Sequence, residues 1–145
     1  DRWDDIVIDT PPSVGALTQA GLAAADVIIA PVIPSVEAYD QLRRLAAVLD
    51  ARIAKRVNRG AQISWVVPIA FDSRAAQGRG RLLDREILAQ LRDTYPERVT
   101  PPVRDSVTAR DSYMESLPVG AYAPDTPVAA DYAAAASVII EGASS

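Results

Sequence analysis

Asp5-Ile6-Val7-Ile8-Asp9 carries three apolar residues in a row with no polar residue between them. Two further runs, Asp26 to Ile33 and Ile63 to Ala70, share this lack of alternation. A strand that is apolar at every position has no solvent face, so it belongs in a parallel sheet covered on both sides. Parallel neighbours cannot be joined by a tight turn and need crossover segments, usually helices. The runs therefore predict an α/β fold, a mostly parallel sheet with flanking helices.

The intervening segments supply the helices. Ser13 to Ala25 is rich in Ala and Leu. Ser35 suits an N-cap, and Ala38, Leu42, Leu45, Ala46, Leu49 and Ile53 then repeat at three and four until Asn58-Arg59-Gly60 stops the helix. Leu82 to Tyr95 places Leu83, Ile87, Leu88 and Leu91 inward, and Val99 to Val103 is a short strand that Pro101 and Pro102 push to an edge. Thr126-Pro127 opens a last helix with Val128, Tyr132, Ala135 and Ile139 as its buried stripe. Residues 1–141 read as part of one domain, and Gly142 to Ser145 as a frayed tail.

Composition narrows the chemistry. The 145 residues contain no Cys and no His, which excludes disulfides, thiolate metal sites, cysteine-held clusters and any histidine base from this chain. A metal must sit on oxygen ligands, and magnesium is the leading candidate. Net charge is −4, yet residues 43–92 hold eleven basic and four acidic residues, a net of +7 inside an otherwise acidic chain. No run of 18 apolar residues or cleavable leader is evident, so the expected location is cytoplasmic, without membrane contact.

In sheets of this class ligands gather beyond the carboxyl ends of the strands. Asp9 closes the first run and is followed by Thr10-Pro11-Pro12-Ser13, which cannot extend a ladder because two prolines lack N–H groups. A carboxylate at a strand tip suits an outer-sphere magnesium ligand; it equally suits a turn or a helix cap.

At this motif the chain resembles the ParA/MinD family of deviant P-loop ATPases. Trp3 to Leu17 is similar to the family's Walker-B and second-switch stretch, and Asp26 to Pro34 to its strand after the switch helix. Phe71-Asp72-Ser73-Arg74 is similar to its D-x-R loop, with Ala75 where Thr is usual, and Pro118 to Tyr132 to its closing segment. The resemblance implies a truncated P-loop NTPase: no G-x-x-x-x-G-K-[ST] is present, the only lysine is Lys55, and the first-switch aspartate is absent. The missing P-loop strand would lie beside the Walker-B strand, and without it the run at residues 5–9 would be laid bare. The chain alone is then expected to lack catalytic residues, to bind ATP no better than buffer and to be prone to aggregation.

By the same resemblance, Asp9 holds magnesium through water, and Thr10, Pro11, Pro12, Ser13 and Gly15 form the switch that senses the γ-phosphate. Asp72, Arg74, Pro102 and Arg104 fall where the family approaches the nucleotide, and Arg74, Arg79, Arg81, Arg85 and Arg104 where it meets DNA. The implied whole protein is an ATP- and Mg2+-dependent ATPase of plasmid or chromosome partition. It dimerises with ATP, binds DNA without sequence preference, works with a ParB-like centromere-binding partner and associates with the nucleoid. The alternative is a P-loop-derived adaptor that has lost its nucleotide site and only binds partners.

Overall fold

The computed structural model describes residues 3–11, 13 and 15–143. Its elements are α1 (Ala16–Ala24), β1 (Ile29–Val32), α2 (Val36–Val48), β2 (Trp65–Pro68), α3 (Leu82–Thr94), α4 (Val107–Met114), α5 (Val119–Tyr122) and α6 (Pro127–Ala143). A π-helical segment, Leu49–Ala54, prolongs α2, and a 3-10 turn, Ala75–Gln77, precedes α3. The fold is α/β with a small parallel sheet, as the apolar runs predict.

β1 and β2 pair in parallel with Ile29 opposite Trp65 and Val32 opposite Pro68. Residues 98–105 lie along the far side of β2 as a broken third row. Val66 N–H donates to Arg98 C=O, Thr100 N–H to Val66 C=O, and Val103 N–H to Pro68 C=O, with Pro101 and Pro102 interrupting the ladder between. The edge position agrees with the sequence reading, but in place of a strand over Val99 to Val103 two isolated bridges form among the described residues, Val66 with Val99 and Phe71 with Arg104.

β2 is buried on both faces. Successive side chains point oppositely, and Val66 joins a core with Ile28, Leu42, Leu49, Ile87, Leu88 and Leu91, whereas Val67 joins a second with Val103, Val128 and Ala135 of α6. Helices α2 and α3 thus cover one face and α6 the other. The stripes follow the sequence reading, with two corrections. Leu83 and Tyr132 are exposed, because each lies at the margin of its helix's apolar arc and the small sheet does not reach it. Ser35 caps α2 as expected, its Oγ accepting from Ala38 N–H at 3.0 Å.

The larger correction concerns residues 5–9. They form no strand, and Ile6 and Val7 are 83% and 94% exposed. A strand without a neighbour leaves its main-chain groups to water and gains nothing from pairing, and among the described residues no partner strand adjoins this segment. The segment passes α1, where Ile8 and Thr10 side chains flank Gly21. β1 likewise has a paired side and an open one. Ile28 and Val32 carbonyls accept from the β2 side, at Trp65 N–H and Ile69 N–H, so the alternate residues Ile29 and Pro31 turn their main chain to an open edge. Pro31 therefore places its missing N–H on that edge.

Helices α4 and α5 carry no stripe that periodicity could find: Ser112 is the one buried residue of α4, and α5 is a single turn with none. α6 continues through Gly142 and Ala143, into the stretch read as a tail, and Ser144 and Ser145 lie outside the described residues.

Candidate functional site

The carboxyl end of β2 runs into a loop organised by one carboxylate. Ala70 adopts a left-handed backbone (φ 57°), after which Phe71 resumes the parallel pairing in a bridge with Arg104. Asp72 follows. Its Oδ1 accepts from Arg74 N–H and Nε, both at 3.0 Å, and its Oδ2 from Arg74 Nη2 at 2.9 Å and Arg81 N–H at 3.1 Å. The bidentate Arg74 side chain, first among these donors, holds the Asp72 carboxyl well below the usual carboxylate range, and Asp72 in turn raises the Arg74 guanidinium.

Closing the loop requires room as well as charge. Gly80 has φ 80°, and a Cβ there would collide with the Asp72 carboxylate. Only glycine serves both demands. Asp84, 2% exposed in the first turn of α3, accepts from Asp72 N–H at 2.5 Å and pairs with Arg81 Nη2 at 3.1 Å. Its carboxylate also lies at the positive end of the helix. Arg81 Nη2 further reaches the Ala70 carbonyl at 3.4 Å.

A second anchor lies beside it. Arg104 donates to both carboxylate oxygens of Asp131 on α6, Nε to Oδ2 at 2.5 Å and Nη2 to Oδ1 at 2.9 Å, and Arg104 N–H reaches Oδ2 at 3.1 Å. Partial burial pulls the Asp131 carboxyl up, but these donors outweigh it and leave it lowered; Arg104 is raised, chiefly by the Asp131 hydrogen bond.

The structure thus brings Asp72, Arg74 and Arg81 together and joins Arg104 to them through Phe71. It also shows them engaged with one another or with Asp84 and Asp131. Arg79 and Arg85 make no ion pair among the described residues and stand exposed. Pro102 is half-buried in the broken row. Asp9, Thr10 and Pro11 are exposed on the irregular segment, so Asp9 stands at no strand tip, and no hydrogen bond or ion pair among the described residues links it to the Asp72 loop. Ser13 accepts at its carbonyl from Thr18 Oγ1 at 2.6 Å, and Gly15 precedes α1 as its N-cap. Pro12 lies outside the described residues.

Sequence reasoning missed Asp84, Gly80 and Asp131. Asp84 had a signal, an acidic residue three after Arg81 in a helix's first turn; Asp131 had none, because its partner is 27 residues away. Among the described residues no three acidic side chains gather as a metal site. Asp9 offers one exposed carboxylate, and the Asp72 carboxylate and one edge of the Arg104 guanidinium are already engaged. These residues do not by themselves fit a complete nucleotide or magnesium site, so no catalytic step falls to them alone. No helix among the described residues is long and apolar enough to cross a membrane.

Comparison with known proteins finds the following similarities. A family model described as an AAA domain matches residues 1–63. An uncharacterized protein of Mycobacterium tuberculosis is 29% identical over 97% of this chain and 42% of its own length. A ParA family protein of Chlamydia pneumoniae is 25% identical over 91% of this chain and 49% of its own, and the chromosome-partitioning ATPase Soj of Treponema pallidum 27% identical over 84% and 46%. The chain spans less than half the length of each of these relatives. With such relatives and the motifs in matching order, the chain is similar to proteins of the ParA/MinD family over the portion it shares with them.

Proposed function

We propose that this chain forms part of a ParA-like ATPase of plasmid or chromosome partition, and that it contributes the DNA-facing loop and one carboxylate of the metal centre. In that reading ATP and Mg2+ are cofactors of the whole protein. Asp9 contributes to magnesium through water, a role one exposed carboxylate can fill because the ion keeps most of its waters and leans on phosphate oxygens. Thr10 to Gly15 form the switch beside α1. The whole protein dimerises with ATP, works with a ParB-like partner and associates with the nucleoid.

The observation that carries the reading is the Asp72 loop. It follows the central strand β2, where ligand sites of α/β sheets gather, and its internal ion pairs separate two kinds of arginine. Arg74, Arg81 and Arg104 are neutralised by Asp72, Asp84 and Asp131 and shape the face. Arg79 and Arg85 keep their charge and can meet phosphates. Two such faces in a dimer would pool at least four guanidinium groups, a local positive surface on chains whose net charge is −4 each.

The test is duplex-DNA affinity of the whole protein with ATP across a salt series. Reversing Arg79 and Arg85 to Glu is expected to weaken binding and flatten the slope of log affinity against log salt by about 1 for each phosphate no longer neutralised. Arg74→Ala is expected to act chiefly by loosening the loop. An unchanged slope in the double reversal would overturn the assignment.

A further inference from the structure

The amino end of β2 opens on a cavity that neither the DNA face nor the metal centre uses. It has a volume of about 480 Å³, within the roughly 300–1,000 Å³ typical of small-molecule sites. Leu49, Ala61 and Ile63, all buried, give it an apolar lining. Ala46 and Ala54 leave room that larger side chains would fill, and Tyr95, the C-cap of α3, adds an aromatic ring.

The walls are braced by the chain itself. Leu49–Ala54 is π-helical, a wider turn that recurs at functional sites. At its end Ile53 C=O accepts from the N–H groups of Arg56, Val57 and Asn58 at 3.2, 2.9 and 3.1 Å. Asn58 then ties down the loop that leads into β2. Its Oδ1 accepts from Gly60 N–H at 3.1 Å, and its Nδ2 donates to the Ala23 and Ala25 carbonyls at the end of α1, at 3.3 and 3.1 Å.

Charge at the rim is one-sided. Residues 43–63 carry six basic residues and one acidic, Asp50, which pairs with Lys55 at 3.2 Å. Arg59 lines the cavity and makes no ion pair among the described residues. Arg98 lines it from the turn after α3 and is oriented through Nη1, which donates to Gln62 Oε1 at 2.8 Å and to Ile63 C=O at 3.2 Å. A planar guanidinium fixed at one nitrogen keeps N–H groups for a carboxylate.

We propose that this cavity binds a small amphipathic carboxylate, its apolar body against Leu49, Ile63 and Tyr95 and its carboxylate between Arg59 and Arg98. An uncharged ligand would gain nothing from the two guanidinium groups, and a nucleotide would bring more polar groups than this lining satisfies. The cavity lies at the opposite end of β2 from the Asp72 loop, so the site is independent of the nucleotide and DNA reading.

The probe is octanoate, titrated into the full chain and followed by the amide signals of Gly60 and Ala61. Octylammonium, of the same chain length, and acetate, without the chain, are the controls. Saturable shifts at these two residues are expected with octanoate and with neither control. Arg59→Gln is expected to lower octanoate affinity about threefold, and Arg59→Gln with Arg98→Gln about tenfold or more. Ala54→Leu is expected to abolish binding by filling the cavity at unchanged net charge. Arg59 is exposed, so Arg59→Gln should keep the parent melting temperature; should either other variant melt early, Arg59→Gln decides by itself. No shift in millimolar octanoate, an equal response to octylammonium or acetate, or full affinity in Arg59→Gln would overturn the proposal. Shifts gathered at Ile6 and Val7 in place of Gly60 and Ala61 would assign octanoate to the exposed apolar segment and overturn it too.

Discussion

Asp131 and Arg104 illustrate how much of the molecule's order rests on a few charged side chains. Their pair ties the broken third row to α6, with the Asp131 carboxylate mostly buried and Arg104 about one third exposed. Solvent screening reduces what such a pair contributes, and removing the charge from Asp131 is expected to cost about 1 kcal/mol. Asp131 has a lowered folded-state pKa, so its contribution is complete above the carboxylate's ordinary value near 3.9 and disappears as pH falls through the lower folded value. Asp131→Asn should therefore narrow the gap to the parent chain below about pH 4. Thermal melts from neutral to strongly acidic pH check this; a constant gap would show that the pair is electrostatically idle. Gly80→Ala is a second residue-scale prediction. The added methyl would displace the Asp72 carboxylate at a backbone angle that L residues resist, and a loss of about 1–3 kcal/mol is expected. Altered amide signals at Arg74 and Arg81 would check the displacement.

Elements of this chain hold together through faces rather than propensities. α3 contributes Ile87, Leu88 and Leu91 to the main core, and Leu91 is fully buried. Leu91→Ala is expected to lower stability by about 2–5 kcal/mol, read by urea denaturation, because the cavity would open in the core that α3 shares with α2 and β2. Leu83→Ala, by contrast, should change it by less than about 0.5 kcal/mol, since that side chain meets solvent. The same contrast explains what was legible in the sequence. α2, α3 and α6 announce themselves because each buries a stripe, and Ser35 caps α2 where its hydroxyl predicts. α4 ends in the Ser116 turn and α5 packs against α4 and α6, and neither leaves a period in the sequence.

At the scale of the whole molecule, the apolar surface near residues 5–9 and the open edge of β1 dominates behaviour. Trp3, Ile6, Val7, Leu17 and Ile29 are all exposed, and exposed apolar surface beside an unpaired edge drives self-association. Val7→Asp with Ile29→Lys is expected to leave the melting temperature within a few degrees and to suppress concentration-dependent association in light scattering; unchanged association would place its origin elsewhere. The sequence alone reads residues 5–9 as a buried strand because the run is apolar throughout. Burial is a property of neighbours, though, and among the described residues no strand adjoins it. The site was legible to a similar extent. Motifs single out Asp72, Arg74 and Arg104 as candidates, whereas their pairing with Arg81, Asp84 and Asp131 depends on partners that motifs do not encode.

Pro31 gives that open edge a particular character. Any strand that settles against it meets one position without a donor, so a carbonyl of the newcomer must find water or go unsatisfied. Indiscriminate growth of the ladder, copy upon copy, is taxed at that rung in every alignment. A segment that brings side-chain contacts of its own can bear the loss, and the edge thereby discriminates between a fitting guest and a merely sticky one.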